Sequence, residues 1–286
     1  MQYTINPLTA TGTGAEIYGL DLRKPHDPDL RETLNREFAK YHVLVIRDQQ
    51  LKPREFAHAA GNFGEIMKQH IPGFGAQGHP DVFELRPVAD TPGEYRAPGG
   101  DGFHTDHSFD AHPPKATSLH PVILPSAGGD TQFSNTHLAY DELPDEMKQR
   151  IAGLKAVHTY ASRNAAYKVR VLDAAGMAAL PPPALHPLVG LHPDNQRKYL
   201  YVSRSRIESI IGMDDAETVS LVKELMDHAT QPKYQYRHVW RKGDMVIWDN
   251  RSVLHKANGD YDMREGEGRL MYRLMLTGPA PTAAYQ

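Results

Sequence analysis

Residues 243–255 read Gly-Asp-Met-Val-Ile-Trp-Asp-Asn-Arg-Ser-Val-Leu-His. The apolar run at 245–248 predicts a buried β-strand, which ends in a polar cluster and is followed by His255. Such a histidine is either a functional group near the end of the strand or a buried side chain that hydrogen-bonds to the backbone. Residues elsewhere in the chain decide between these two interpretations.

The stretch His104-Thr105-Asp106 favours a functional site. Residues i and i+2 of a strand point to the same face, so a strand here directs His104 and Asp106 to one metal ion while Thr105 points away. His255, on another strand, completes a set of two histidines and one carboxylate, which binds non-haem iron(II) and leaves coordination positions open. A His-X-Asp pair alone is weak in a chain with 16 histidines. With His255, it predicts a catalytic iron site at His104, Asp106 and His255.

Composition excludes several classes of protein. The chain has 286 residues, a net charge of −3 and no cysteine, which is enough length for one large domain or two small ones. No stripe of lysine and arginine stands out, so we expect no nucleic-acid partner. Any metal must be bound by histidine and carboxylate, and the lack of cysteine suits a cytoplasmic protein. The first residues do not resemble a signal peptide, and no apolar run approaches the roughly 18 residues of a membrane span.

Periodicity predicts helices mainly in the N-terminal quarter and short strands from Val82 onward. The predicted helices are 28–41 with Asp27 as N-cap, 53–63, 142–154, and 214–229 with Asp214 as N-cap. The predicted strands are 15–22, 42–47, 82–85, 116–120, 155–159, 188–192, 198–202, 236–240, 245–248 and 270–277. Segments 86–103 and 160–183 are predicted to be irregular, and the loops 86–103 and 161–183 are candidate lids. Many short strands interrupted by helices favour a β-sandwich or jelly roll over a doubly wound sheet.

Arg269 and Arg273 follow the second histidine. On a strand their spacing puts both guanidinium groups on one face, with Met271 between them. An inward-facing arginine is unfavourable unless it meets an anion, and its fork fits a carboxylate. Gly128-Gly129-Asp130-Thr131 predicts a tight turn after which Thr131 opens a strand with a hydroxyl donor. Structural ion pairs and an ordinary hairpin are the alternatives for these residues.

Together these motifs resemble the taurine dioxygenase / 2,4-dichlorophenoxyacetate dioxygenase family of Fe(II)- and 2-oxoglutarate-dependent oxygenases. The resemblance runs over nearly the whole chain. Its landmarks are residues 14–22 (Gly-Ala-Glu-Ile-Tyr-Gly-Leu-Asp-Leu), Phe63-Gly64-Glu65, residues 103–106, residues 128–131, His192-Pro193, Trp248-Asp249-Asn250-Arg251 with His255, and Arg269 with Arg273.

The resemblance implies a mainly β fold with flanking helices, a double-stranded β-helix of the jelly-roll or cupin type, formed as a single domain over residues 1–286. It implies Fe(II) at the triad, with 2-oxoglutarate as cosubstrate and O2. By position, Thr131 and Arg269 match residues that bind the distal carboxylate of 2-oxoglutarate. Arg273 and His70 match residues that contact the primary substrate.

The chain departs from the family pattern in three places. Segment 256–268 is longer than in relatives, so the assignment of the two following arginines depends on a short insertion. His107 stands where a small apolar residue is common. Arg204 and Arg206 lie near a position where relatives have an aromatic pocket residue. If either faces inward, the substrate carries a second anionic group or a strong acceptor, and otherwise both are solvated loop arginines. We predict Arg206 as a substrate contact.

The family's chemistry implies hydroxylation, with or without cleavage, of a small and anionic organic substrate, with release of succinate and CO2. Asp106 favours hydroxylation over halogenation, because related halogenating enzymes lack this carboxylate. One alternative is desaturation or an oxidative rearrangement such as isonitrile formation on an amino-acid derivative. Another is a non-catalytic jelly-roll protein that binds a small acid. We expect a small-molecule partner, no membrane or nucleic acid, and a homo-oligomer (dimer or tetramer).

Overall fold

The structure is a computed structural model that describes residues 3–25, 27–68, 75–91, 94–96, 102–165, 172, 174–263 and 268–285. The strands are β1 (Thr4–Pro7), β2 (Ala15–Tyr18), β3 (Val43–Ile46), β4 (Gly75–Ala76), β5 (His79–Leu85), β6 (Val88–Thr91), β7 (Glu94–Arg96), β8 (Ala116–Ile123), β9 (Thr131–Asn135), β10 (Lys155–His158), β11 (Ala184–Pro187), β12 (Val189–Leu191), β13 (Lys198–Leu200), β14 (Ile207–Ile210), β15 (Gln235–His238), β16 (Met245–Asp249), β17 (Val253–Ala257), β18 (Leu270–Leu276) and β19 (Thr282–Ala283). The helices are α1 (Pro28–Tyr41), α2 (Pro53–Ala60), α3 (Thr136–Asp141), α4 (Asp145–Ile151), α5 (Ala174–Ala178) and α6 (Asp215–Ala229). Within those ranges, none of the helices combines the length and apolar character that a membrane crossing requires.

The largest sheet is built around strands that are apolar on both faces. In the described part of the chain it has eight strands in the order β1-β2-β3-β16-β8-β18-β5-β4. The pairing is antiparallel except between β2 and β3. In β16, Met245 and Ile247 pack into one hydrophobic cluster while Val246 and Trp248 pack into another. This division explains why 245–248 is a continuous apolar run rather than an alternating one.

A second sheet faces the inner side of the first. It has the order β15-β9-β17, and Phe133 and Val253 from β9 and β17 pack against Val246, Trp248 and Met271 of the large sheet. Two facing antiparallel sheets with a shared apolar core are the arrangement of a jelly roll. The predicted mainly β, jelly-roll fold is therefore confirmed.

Helices α1 and α2 cover the outer side of the large sheet. Leu34, Phe38 and Phe56 are buried there with the outward-facing residues of β3 and β16. Asp27 accepts a hydrogen bond from the Leu30 backbone, which confirms it as the N-cap of α1. The helix ends at Tyr41, because His42 adopts a left-handed conformation with φ of 65° and its backbone N–H closes the last turn.

A third cluster joins α3 and α6 to strands β10, β12, β13 and β14. Asp214 and Glu217 form a capping box at the start of α6, which confirms the predicted N-cap. The buried face of α6 contains the polar Thr218, whereas its apolar neighbour Val219 is exposed. Thr218 is satisfied there because its hydroxyl accepts the backbone N–H of Ile210.

The two segments predicted to be irregular contain regular structure. Segment 86–103 includes the hairpin of β6 and β7, and segment 160–183 includes the short helix α5. The predicted helix at 142–154 is shorter, because it begins only after Pro144 and ends at Ile151. The role of these segments as lids stays a prediction.

Candidate active site

The triad residues come from two chain segments that meet through backbone hydrogen bonds. His255 lies in β17, and the backbone N–H groups of His104 and His255 each donate to the other residue's carbonyl, at 3.0 and 2.8 Å. This isolated antiparallel bridge brings the two imidazole rings to 4.3 Å between centroids. Residues 151 positions apart in sequence therefore share one site at the rim of the smaller sheet.

Asp106 completes the cluster. Its Oδ1 lies 4.0 Å from His104 Nε2 and its Oδ2 lies 3.7 Å from His255 Nε2. One ligand atom from each of the three side chains lies within 4.8 Å of the others, and all three residues are buried. Within the described residues this is the one group of three or more histidines, cysteines or acids with such spacing.

The expectation that residues 104–106 form a strand was wrong. Only His104 takes part in the bridge, and the chain turns at Asp106. His107 then has a φ of 47°, in the left-handed region that non-glycine residues rarely adopt. The turn, rather than strand alternation, brings the carboxylate beside both imidazoles. Strain of this kind is characteristic of functional sites.

The protonation states suit a divalent cation. Burial lowers the pKa of His104, and burial followed by the charge of His104 lowers the pKa of His255 to about 3, so both imidazoles are neutral near pH 7. Burial opposes ionisation of Asp106, but the charge of Arg273 and then the two histidines outweigh it and hold its pKa well below the usual range. His104 Nδ1 lies 3.0 Å from the Gly102 carbonyl oxygen, to which it can only donate, so the lone pair of Nε2 is free.

A buried polar chain fixes the orientation of Asp106. Thr117 Oγ1 on β8 donates to Asp106 Oδ2 at 2.6 Å, and Asn250 Nδ2 donates to Thr117 Oγ1 at 2.7 Å. Trp248 Nε1 in turn donates to Asn250 Oδ1 at 3.1 Å, and its ring packs 4.7 Å from that of His255. The sequence motif at 248–250 thus supports both the carboxylate and the second histidine. Sequence reasoning did not identify Thr117, because only β8–β16 pairing places it there.

We predict that Thr117→Val weakens metal binding by about 10- to 100-fold, since the residues that orient a metal ligand typically contribute that much. The variant keeps the shape of the side chain but removes the hydroxyl that holds Asp106 Oδ2. Isothermal titration with Mn(II), which does not oxidise in air, measures the affinity. The control is Ser118→Ala, the neighbouring residue, whose hydroxyl bonds the Val246 carbonyl instead. Equal affinities for wild type and Thr117→Val would contradict the assigned role.

Other landmark residues have a structural function. Asp249 is fully buried, and it accepts hydrogen bonds from His192 Nε2 at 2.9 Å and from Arg251 Nη2 at 2.6 Å. Arg251 also pairs with Asp194 at 2.8 Å. The neighbouring positive charge outweighs burial and holds the pKa of Asp249 well below its usual range. This network ties the loop after β12 to the end of β16.

Arg273 reaches the triad. Its Nη2 lies 2.9 Å from Asp106 Oδ1, and the side chain is only partly exposed. The predicted alternation along β18 is present, because Met271 packs into the core between the two sheets while Leu274 and Leu276 face α1 and α2. Arg273 therefore projects to the inner side of the large sheet, beside the candidate metal site.

Arg269 is deeply buried, at 2% exposure. In the part of the chain that the structure describes, its Nε and Nη2 have no hydrogen-bond partner. Gly129, which precedes β9 at a φ of 73°, lies against it, since a Cβ added there would be 3.3 Å from Arg269 Cδ and Nε. Thr131, 2% exposed, opens β9 two residues later, and its Oγ1 accepts the Trp240 Nε1 hydrogen at 3.1 Å. The segment Gly129–Thr131 thus packs on a buried guanidinium whose Nε and Nη2 have hydrogens to donate, and such a group fits a carboxylate.

Arg206 does not behave as a solvated loop arginine. Its guanidinium lies 5.3 Å from the Phe109 ring and 5.1 Å from the Tyr160 ring, so that it is held by two aromatic faces. Burial is the main cause of the lowered pKa of His104, and the charges of Arg206 and Arg273 lower it further. Both arginines therefore act electrostatically at the same imidazole. Sequence reasoning did not identify Phe109 and Tyr160 as part of this arrangement.

His70 lies outside the described residues, as do residues 264–267 of the longer segment before Arg269. The start of β18 is described, and its ladder with β8 shows an irregularity between Leu270 and Met271. Arg269 stands directly before that irregularity.

A jelly roll with two neutral histidines and one ionised carboxylate at its inner rim defines a class of non-haem metal proteins. A family profile described as "Taurine catabolism dioxygenase TauD, TfdA family" matches residues 4–275. The chain therefore belongs to the TauD/TfdA family of dioxygenases, which confirms the predicted family and identifies it as an oxidoreductase.

Individual relatives agree with this. The chain is 32% identical over 290 residues to (S)-phenoxypropionate/alpha-ketoglutarate-dioxygenase of Sphingobium herbicidovorans, covering 99% of this chain and 98% of that one. It is 31% identical over 256 residues to the alpha-ketoglutarate-dependent 2,4-dichlorophenoxyacetate dioxygenase of a Burkholderia strain, covering 85% and 84%. The solved structure of AAD-2 in complex with Mn(II) and N-oxalylglycine superposes with a TM-score of 0.81 at 30% identity, covering 99% of this chain and 100% of that one.

Proposed function

We propose that this protein is an Fe(II)- and 2-oxoglutarate-dependent dioxygenase that hydroxylates a small anionic organic substrate. In the balanced reaction, substrate, 2-oxoglutarate and O2 give hydroxylated substrate, succinate and CO2. The observation that carries the proposal is the pairing of two features. The His104–Asp106–His255 cluster is buried, and Arg269 is a buried arginine whose Nε and Nη2 have no hydrogen-bond partner among the described residues.

Both features fit the groups that the family implies. Two neutral imidazoles and one carboxylate suit a divalent first-row metal such as iron(II) and leave positions for other ligands. A cationic fork buried without an anion is unfavourable, so the Arg269 pocket favours a ligand with a carboxylate. His104, Asp106 and His255 would hold the metal, while Arg269 and Thr131 would hold the far carboxylate of 2-oxoglutarate.

The protein's contribution is positioning. When bound, iron(II) and 2-oxoglutarate supply an oxidant for an unactivated C–H bond. Arg269 and Thr131 would orient the keto acid by one end, and Thr117 keeps Asp106 in place through the hydrogen bond described above. The ring of Trp248 fixes the plane of His255, whose Nδ1 has no hydrogen-bond partner among the described residues. Burial of the triad limits the access of water.

Arg273 would bind the substrate's anionic group. Its Nη2 lies 2.9 Å from Asp106 Oδ1, so an anionic group bound by this guanidinium would lie beside the metal. The two named relatives act on phenoxypropionate and phenoxyacetate compounds, which are both carboxylates. Arg206, held between two rings near the same imidazole, would meet a second anionic or strongly accepting group.

We predict that Arg273→Ala raises the apparent KM for the primary substrate at least about tenfold, because a hydrogen bond to a charged group contributes on the order of 1.5–3 kcal/mol. The affinity for 2-oxoglutarate should stay unchanged. In this variant, the amount of succinate released should also exceed the amount of primary substrate consumed. Arg150→Ala, which removes a surface ion pair with Glu224, is the control. A defect in 2-oxoglutarate affinity without a substrate defect would reverse the division of roles between Arg269 and Arg273.

A substrate panel tests the proposed function. Sulfonates, sulfate esters, phenoxy acids and N-substituted amino acids, each with one or two anionic groups, are scored by O2 uptake and succinate release. Product mass separates hydroxylation (one added oxygen) from desaturation (loss of two hydrogens) and from rearrangement or fragmentation. Anaerobic addition of Fe(II) and 2-oxoglutarate should produce a weak visible charge-transfer band. No band and no succinate with any substrate would favour a binding protein instead.

The proposed assembly is a homo-oligomer, either a dimer or a tetramer, in the cytoplasm. Sedimentation velocity of the purified chain with Mn(II) measures the assembly directly. A monomer at all concentrations would contradict this part of the proposal without affecting the chemistry.

A further inference from the structure

The hydroxyl group of Thr131 is restrained by a neighbour that sequence reasoning did not identify. Trp240 Nε1 donates to Thr131 Oγ1 at 3.1 Å, and both side chains are buried. An indole N–H is a donor only, whereas a hydroxyl has one hydrogen to donate and two lone pairs that accept. The Thr131 hydroxyl therefore cannot point its own hydrogen at the indole. Among the described residues, no acceptor takes that hydrogen.

The backbone that leads into Thr131 packs against Arg269. Gly129, two residues before Thr131, lies against the Arg269 Cδ and Nε atoms. Arg269 is itself buried, and two of its guanidinium nitrogens have no partner within the described ranges. The hydroxyl donor and the cationic fork are thus carried by two segments that pack on each other, each with hydrogens to donate, and one carboxylate can satisfy both.

Trp240 is held rigidly in this position. β15 pairs with β9 so that His238 lies opposite Thr131. The His238 ring stands edge-on to the Trp240 ring at 4.6 Å and 90°, and Asp244 Oδ2 lies 3.1 Å from His238 Nε2. Asp244 in turn accepts two hydrogen bonds from Arg47 at 2.9 and 3.0 Å. The direction of the indole N–H is thus fixed by a buried network rather than by the ligand.

We propose that Trp240 is a positioning residue for the cosubstrate: its indole N–H turns the Thr131 hydroxyl so that the hydroxyl hydrogen points at the carboxylate held by Arg269. This inference rests on the proposed function, because it needs a keto acid with a distal carboxylate. Trp240 does not touch the reacting atoms, and its effect passes entirely through Thr131. A tryptophan that only fills the core would support all ligands of the site equally.

A double-mutant cycle separates these two roles. Trp240→Phe keeps an aromatic ring and removes the N–H, and Thr131→Val keeps the shape and removes the hydroxyl. Affinities are measured by calorimetry with Mn(II)-loaded protein for two probes. N-oxalylglycine carries the distal carboxylate, whereas oxalate chelates a metal without one.

We expect each single variant to bind N-oxalylglycine about tenfold more weakly than wild type, as expected for one hydrogen bond to a charged group. The double variant should be no weaker than Thr131→Val alone, because Trp240 has nothing to orient once the hydroxyl is gone. Oxalate affinity should be unchanged in all three. Thr131→Ser retains the hydroxyl, so it should bind N-oxalylglycine within about twofold of wild type. The double variant Thr131→Ser with Trp240→Phe should bind this probe about tenfold more weakly, as Trp240→Phe alone does.

Three outcomes would overturn the inference: unchanged N-oxalylglycine affinity in Trp240→Phe, additive losses in the double variant, or an equal loss for oxalate. If Trp240→Phe does not fold, Trp240 is replaced by 3-benzothienylalanine, which lacks the N–H and keeps a bicyclic ring of similar size. Wild-type protein that binds N-oxalylglycine no better than oxalate would instead contradict the proposed function itself.

Discussion

His104→Ala and His255→Ala should each reduce iron-dependent conversion of 2-oxoglutarate to succinate to the background rate. In the proposed site each imidazole is one of three protein ligands, so its loss would leave a two-ligand site that holds iron(II) poorly and in the wrong geometry. The two residues also hydrogen-bond to each other through the backbone, which alanine preserves. The loss should therefore be of metal binding rather than of folding.

Two measurements check this result. Succinate release is measured with saturating Fe(II), and the affinity for Mn(II) is measured by calorimetry. His58→Ala, an exposed histidine on α2, is the matched control and should match wild type in both. Turnover retained in either site variant would remove the metal assignment, whereas loss of turnover in the control would point to a general defect.

Arg269→Ala should raise the apparent KM for 2-oxoglutarate by about 100-fold. The KM for the primary substrate, measured at saturating 2-oxoglutarate, should stay unchanged. Truncating one partner of a buried, hydrogen-bonded charge pair costs about 2–5 kcal/mol, and Arg269 is 2% exposed beside Thr131. Arg241→Ala, which removes the side chain of an exposed arginine, is the control. Wild-type dependence on 2-oxoglutarate in Arg269→Ala would place the cosubstrate carboxylate elsewhere.

Substitution of Arg269 should weaken cosubstrate binding but should not destabilise the protein. Arg269 is a buried cation whose Nε and Nη2 have no hydrogen-bond partner in the described residues, and burial lowers its pKa. Arg269→Met replaces it with an apolar chain of similar length, so the ligand-free Tm should rise or stay equal. N-oxalylglycine with Mn(II) should raise the Tm of wild type but not that of this variant.

Local sequence signals predicted those features that depend on neighbouring residues. The N-caps Asp27 and Asp214 act within three residues of themselves, so they were readable from sequence, as was the start of β9 at Thr131. The buried face of α6 was less readable, because the choice between Thr218 and Val219 depends on β14 packing beside it.

The sequence alone determined the donor chemistry and the class of fold, through two histidines and an acid and through apolar runs that only a buried sheet accommodates. It also predicted Arg269 and Arg273 on one face of a strand, but β18 begins only at Leu270, so Arg269 precedes it. The tertiary structure decided which groups meet. The bridge between His104 and His255, and the contact of Trp240 with Thr131, are backbone and side-chain hydrogen bonds between segments far apart in the chain. Residue types predicted that the two histidines share a site, but not the hydrogen bonds that bring them together, since strand pairing sets these and is settled only when the whole core is packed.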